Sequence, residues 1–237
     1  MDFNLMETKG IIPRTWRLLK KIFLILFIFQ FVYIILLKWI DPPFTLTQIG
    51  SLLSGDGLKR DYVNFDEISP NAKLAVISSE DQLFADHNGF DWKSIEKAMA
   101  YNKRKPNRIR GASTISQQTA KNVFLWQGRG WFRKALETYF TFMIELIWGK
   151  KRILEVYLNV IETGKGIYGI EAASRNYFKK PASKLGIYES AMIAACLPNP
   201  KRFPVKPMCR YVSLRHPVIV RQMINLRDDE DIIKIIK

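Results

Sequence analysis

The stretch AVISSEDQLFADHNGFDW, residues 75–92, decides how the chain is read. Taken as a helix over 72–84, it puts Val76, Ile77, Leu83 and Phe84 three or four positions from Glu80. Residues at that spacing share a helix face. Glu80 then stands in an apolar stripe, where a carboxylate is costly unless it is paired or used. Two readings stay open at this point. One is a helix-end acid bound to an arginine or a backbone amide, because structural ion pairs also bury carboxylates. The other is an acid or base that does chemistry.

Outward from that stretch the pattern is helical. His87-Asn88-Gly89 is a helix stop, and Asp91 suits the N-cap of a helix over 91–101. Residues 102–113, NKRKPNRIRGAS, form a basic loop with Pro and Gly. A capped helix follows over 113–125, and the GRG at 128–130 breaks it. Helices are expected over 131–148, 150–160, 170–178 and 208–226, with TGKGIYG (163–169) as a turn and LPNPKRFP (197–204) closing the packed region. Almost nothing alternates with period two, so the fold class is mainly α. No internal repeat is visible.

Residues 22–37, IFLILFIFQFVYIILL, hold Gln30 as their one strongly polar side chain. Carried on through Trp39, the run gives about 27 Å of helix, close to the hydrocarbon thickness of a bilayer. Lys38 stands near its end, where it can snorkel. Lys9, Arg14, Arg17, Lys20 and Lys21 precede the run, against Asp2 and Glu7. The positive-inside rule therefore leaves residues 1–21 in the cytoplasm, makes 22–39 a transmembrane helix and 40–60 a loosely structured linker, and puts the domain 61–237 across the membrane. A cleaved signal peptide is the alternative; the run is longer than a usual signal core, and no small-residue cleavage site follows it.

The 237 residues carry a net charge of +15. Removing the six Lys/Arg and two Asp/Glu of residues 1–40 leaves +11, so the outer domain is basic in its own right. Such a balance points to an anionic partner. Outside the cytoplasm that partner is not nucleic acid; anionic headgroups and a phosphorylated lipid substrate remain. Cys196 and Cys209 leave a disulfide open, and the scattered cysteines and histidines exclude a zinc pattern.

Three more stretches bear chemistry-capable residues. In RGASTISQQTAKN (110–122), Gly111 and Ala112 permit close approach of a ligand. Ser113 and Thr114 cap a helix whose N-terminal amides favour an anion, and Lys121 lies two turns on. An ordinary capped helix explains the caps but does not require Gln117, Gln118 or Asn122. In RKALE (133–137), Arg133 and Glu137 are i and i+4, which is also the spacing of a surface ion pair of little energetic value. ILEVYLNVIETGKGIYGIEAASRNYF (153–178) is helix, glycine turn and helix, mostly core.

Together these segments resemble glycosyltransferase family 51, the peptidoglycan glycosyltransferase module, in order and over roughly 65–215. The short chain with one anchor matches the monofunctional members. Ser94-Ile-Glu-Lys97 fits the S-x-x-K of penicillin-binding transpeptidases, but it falls inside this first domain and no K-T-G follows.

The resemblance implies a lysozyme-like, α-rich domain that polymerises lipid II at the bacterial inner membrane, with its catalytic part periplasmic. Undecaprenyl pyrophosphate leaves and the anomeric configuration inverts. It implies Glu80 and Glu137 as the catalytic pair. Lys121, Arg133, Ser113, Thr114, Gln117, Gln118 and Asn122 would bind substrate and pyrophosphate, with Asp81, His87 and Asp91 supporting. A Mg²⁺ or Mn²⁺ near Glu80 is compatible with a pyrophosphate but is not demanded. The implied partners are lipid II, the growing glycan strand, the outer leaflet of the inner membrane, and cell-division or elongation machinery. FLWQGRGWF (124–132) mixes Trp, Phe and Arg as interfacial segments do, although Phe124 and Trp131 equally suit a core. Two rival functions remain: a lytic enzyme using one Glu as acid on finished glycan, and a non-catalytic anchored scaffold.

Overall fold

The computed structural model describes residues 11–105, 111–128 and 130–237. Asp2, Glu7 and Lys9 of the N-terminal charge pattern, residues 106–110 of the basic loop and Arg129 of the interfacial stretch lie outside the described residues. The chain divides into two compact units, Met1–Ile40 and Asp41–Lys237.

The first unit is built on helix α1 (Ile11–Leu36). Its Arg14–Leu36 portion is long and apolar enough to cross a membrane. The helix starts well before the apolar run, because Arg14, Arg17, Lys20 and Lys21 are good helix formers and simply extend it. It ends at Leu36, three residues short of the expected span, and residues 37–39 are a turn.

The second unit is mainly helical, as expected. Its first helix, α2 (Leu46–Leu53), corrects the reading of 40–60 as a loose linker. Thr45 and Gln48 form a reciprocal capping box there, and α2 packs on the later helix α5 (Ile115–Phe124). A burial-driven contact thus orders a segment whose Pro and Gly content suggested a tether.

The remaining order is β1 (Lys59–Arg60), α3 (Pro70–Glu80), α4 (Trp92–Arg104), α5, α6 (Trp131–Ile147), α7 (Lys150–Val160), β2 (Glu162–Gly164), β3 (Ile167–Tyr168), α8 (Ile170–Phe178), α9 (Ile187–Cys196), α10 (Arg210–Leu226) and α11 (Glu230–Ile236). The strands are too short to carry a period. They form a small sheet in the order β1-β3-β2, with β1 parallel and β2 antiparallel to β3. The turn before β3 needs glycine: Gly166 has φ +68°, and a Cβ there would stand 2.2 Å from the carbonyl oxygen of Asp56.

Two helices hold the core. In α3, residues 72–78 are all buried, and in α7 Ile153, Leu154, Val156, Tyr157, Leu158 and Val160 are buried. α3 packs on α9, α10 and α11, while α5 packs on α6 and α7. A helix enclosed on every side has no polar face, which is why α3 shows no amphipathic signature. Its one buried cation, Lys73, donates to the carbonyl of Ile236 in α11 (3.1 Å) and lies 3.6 Å from the centre of the Phe65 ring.

Candidate active site

The helix carrying Glu80 stops at Glu80 itself. Asp81 leaves the helix with φ −160°, so Leu83 and Phe84 do not share a helix face with Glu80 as the sequence suggested. The cause is tertiary. The Asp81 carboxylate accepts from the backbone N–H of Ile115, the first residue of α5, at 2.9 Å. It also accepts from His87 Nε2, at 3.0 and 3.2 Å to its two oxygens. His87 Nδ1 accepts from the Gly89 amide, which leaves the proton on Nε2 for Asp81. Thr114 Oγ1 donates to the Gly89 carbonyl at 2.7 Å and closes the link between the end of α3 and the start of α5. Asp81 and His87 therefore act as fasteners within the protein.

This corrects the expectation that the N-terminus of α5 waits for a ligand anion. Its first amide is taken by Asp81, and that of Gln117 by Thr114 Oγ1. Gln117 Oε1 in turn accepts from the Thr114 amide, so Thr114 and Gln117 are a capping box. Asn122 is buried, with Gln127 Nε2 3.4 Å from its Oδ1. Asp91 caps α4 through the amide of Ser94. Ser113 is exposed and free to meet a ligand.

Glu80 opens on a cavity of about 730 Å³ lined by Ser79–Leu83, Asp91, Ser94, Lys97, Gly111–Thr114, Gln118 and Pro198. Glu80 Oε2 accepts from Gln118 Nε2 at 2.9 Å. Gln118 Oε1 accepts from the hydroxyl of Tyr157, which is fully buried in α7, at 3.2 Å. The tyrosine thus fixes the amide flip of Gln118, and Gln118 fixes the carboxylate. Desolvation pushes the Glu80 carboxyl above its ordinary range, only partly opposed by Gln118, Arg215 and Lys121. Ser94 and Lys97, unassigned by sequence reasoning, stand on the cavity wall. Pro198 and Arg215 were likewise missed; their separation from Glu80 in sequence left no signal.

A second charged group is centred on Glu137 of α6. The Glu137 carboxylate is 3% exposed as a residue and accepts from Arg133 Nη1 at 2.8 Å and from Lys134 Nζ. The i,i+4 pair is real and largely buried, so the surface ion-pair reading is set aside. Arg133 Nε is buried without a hydrogen-bond partner among the described residues. Lys121 forms no side-chain hydrogen bond or ion pair among the described residues. Burial lowers the pKa of its ammonium; Glu137 opposes that, Arg133 and Lys134 add to it, and Glu80 opposes it too. Lys121 thus senses both carboxylates and joins the two halves of the site.

The residues near Glu80 do not make a protein cage for a divalent ion. Asp81 is occupied by His87 and Ile115, and Glu137 by two cations. Among the described residues no group of three or more His, Cys, Asp or Glu could hold a metal.

The profile of the Transglycosylase family matches residues 47–224, which span α2 to α10 and so contain the whole of this site. The chain belongs to that family. It is also 53% identical over 200 residues to the biosynthetic peptidoglycan transglycosylase of Yersinia pseudotuberculosis serotype O:3 (strain YPIII), covering 81% of this chain and 83% of that one. The protein of the same description from Yersinia pestis (strain Pestoides F) matches to the same extent. Within the family match lie Glu80 and Gln118 on the cavity wall, Lys121 on α5, and the Arg133–Lys134–Glu137 group on α6.

Proposed function

We propose that this chain polymerises peptidoglycan glycan strands from lipid II, at the outer face of the inner membrane. The observation that carries this reading is the placement of one desolvated carboxylate, Glu80, on a cavity wall next to cations that no glycan-cleaving enzyme needs. The 4-hydroxyl of the acceptor sugar gives its proton to Glu80 as its oxygen attacks the anomeric carbon of the growing strand. The bond from that carbon to the pyrophosphate breaks, and its electron pair leaves with undecaprenyl pyrophosphate. A carboxylate raised in basicity by burial suits the first event. Lys121, with Arg133 and Lys134, counters the charge that grows on the leaving oxygen. Glu137 keeps those two cations apart and aimed. The apolar part of α1 is a single-pass membrane anchor in this reading, with the basic residues up to Lys21 cytoplasmic and the Asp41–Lys237 unit periplasmic.

Labelled lipid II and purified sacculi, offered separately to the full-length protein, test the assignment. Glycan polymer is expected from lipid II, with sacculi unchanged. Solubilised fragments from sacculi and none from lipid II would assign a lytic enzyme instead.

The same reading asks how the unit reaches a lipid-linked substrate. Trp131 is 92% exposed and Phe132 72%, and Phe142 and Leu146 continue an exposed apolar edge along α6. Phe124 instead stacks on Phe140 with ring centres 4.6 Å apart, so it belongs to the packed interior. We assign Trp126, Trp131 and Phe132 to the outer leaflet. Trp126→Ser with Trp131→Ser in the Asp41–Lys237 unit should weaken partitioning to anionic liposomes at least ~tenfold, the loss of about 1.4 kcal/mol. Unchanged co-sedimentation would remove the assignment.

A further inference from the structure

An amide beside a carboxyl group can pair with it in two ways. An ionised carboxylate accepts from the amide N–H, and a protonated one donates its O–H to the amide oxygen. Gln118 shows the first arrangement: its Nε2 donates to Glu80 Oε2 at 2.9 Å on the cavity wall. The second requires the amide to turn over. Turning exchanges Nε2 with Oε1, and Oε1 is where the Tyr157 hydroxyl donates, at 3.2 Å. The phenol would then face an N–H donor, and its own proton would lose its acceptor. Tyr157 is 0% exposed, and its hydroxyl makes no other hydrogen bond among the described residues. A buried donor left unsatisfied carries the full cost of its desolvation. Tyr157 therefore opposes the one orientation of Gln118 that welcomes a protonated Glu80.

The tyrosine is placed for this. It sits in α7 between Val156 and Leu158, both fully buried, so the close-packed interior holds its ring. Burial, with the charge of Glu80 adding to it, keeps the phenol pKa well above its ordinary value, so the donor proton stays. The other titratable or charged groups toward Glu80 are Asp81 beside it, Lys121 on α5, Cys196 on α9 and Arg215 on α10, with Asp91 and Lys97 on the cavity wall. The helix α11 meets α3 at Lys73, about two turns before Glu80. Among the described residues none of these groups hydrogen-bonds to the Glu80 carboxylate or to the Gln118 side chain.

We propose that Tyr157 is a positioning residue for the base: its hydroxyl locks Gln118 as a donor, and the locked amide keeps Glu80 in the ionised form that takes the acceptor's proton. The inference rests on Glu80 being the base. Tyr157, sealed inside the unit, acts only through the amide.

The test uses the full-length protein in detergent micelles. Infrared difference spectra taken against Glu80→Gln give the carboxylic C=O band of Glu80 and its pH midpoint without turnover. Tyr157→Phe keeps the ring, removes the hydroxyl and frees the amide to turn, which makes Glu80 easier to protonate. The midpoint is expected to rise by about one unit. The acid limb of lipid II polymerisation should move with it, lowering the rate about tenfold at a pH below both limbs. Gln118→Met cuts the chain, so adding Tyr157→Phe to it should move the midpoint no further. An unmoved midpoint in folded Tyr157→Phe overturns the inference. So does an equal shift in the Gln118→Met background, which would mean that the hydroxyl acts on the carboxylate directly, and so does unfolding of Tyr157→Phe, which would make the hydroxyl a fold contact. An active Glu80→Gln would remove the base assignment, while the infrared midpoint still decides the link; an inactive Glu80→Gln with an unmoved midpoint in Tyr157→Phe rejects the inference alone.

Discussion

Glu80→Gln is expected to lower glycan polymerisation from lipid II by about 10³-fold or more, within the range of general-base contributions, while the protein stays folded. The change is isosteric, and the new amide oxygen can still accept from Gln118 Nε2, so the link through Gln118 to Tyr157 persists. What is removed is the proton acceptor. The expected effect on stability has a definite sign. Burial raises the Glu80 pKa in the folded protein, so its stabilising contribution is present below the ordinary carboxylate pKa. That contribution is lost as pH rises through the raised folded value. At neutral pH the ionised group therefore opposes folding, and the Gln variant should unfold thermally at the wild-type temperature or above it. Activity within tenfold of wild type would remove Glu80 as the base. A large drop in Tm would show that the carboxylate holds the fold.

Lys121→Met is expected to separate function from stability in the same direction. The ammonium is half-buried, lacks a hydrogen-bonding partner among the described residues, and has a pKa lowered by desolvation. Its neighbour Glu137 is already satisfied by Arg133 and Lys134. A depressed lysine pKa means that the charged form is disfavoured by folding at every pH below the folded value, neutral pH included. Met keeps most of the stem packing and drops the charge. Tm should stay level or rise by about 2–4 °C, matching a gain of up to about 1 kcal/mol. Polymerisation should fall by about 10²–10³-fold, as on losing one preorganised group that stabilises developing charge. A stabilised, inactive protein is the pattern of a residue kept for its work. Near-normal activity would detach Lys121 from the leaving group, and a clear fall in Tm would assign it to the fold.

Much of the helical order was legible because it is written locally. The 150–160 and 170–178 helices begin and end where Gly149, Val160, Gly169 and Phe178 indicate. The Arg133–Glu137 pairing follows from an i,i+4 spacing on one helix, but its burial, which rules out the surface reading, does not. The helix α9 was not read, since IYESAMIAAC is short, apolar and without a polar face. The helix α2 was mistaken for a tether because its order comes from packing on α5. The sequence drew attention to Glu80 for a reason the structure changes: its apolar stripe was imagined on an uninterrupted helix, and the true enclosure comes from α5, α7, α9 and α10.

By itself the sequence determined the class of fold, the apolar N-terminal helix, the carboxylates and cations proposed to carry the chemistry, and the order in which they occur, because capping, helical spacing and charge act over a few residues. Only the tertiary structure decided which of those polar groups are consumed internally. Asp81, Thr114 and Gln117 are bound to backbone amides, whereas Glu80 on the cavity wall accepts from the Gln118 side chain and Lys121 has no side-chain hydrogen bond or ion pair among the described residues. Whether a polar group is satisfied depends on what other helices bring against it, and no local pattern encodes that.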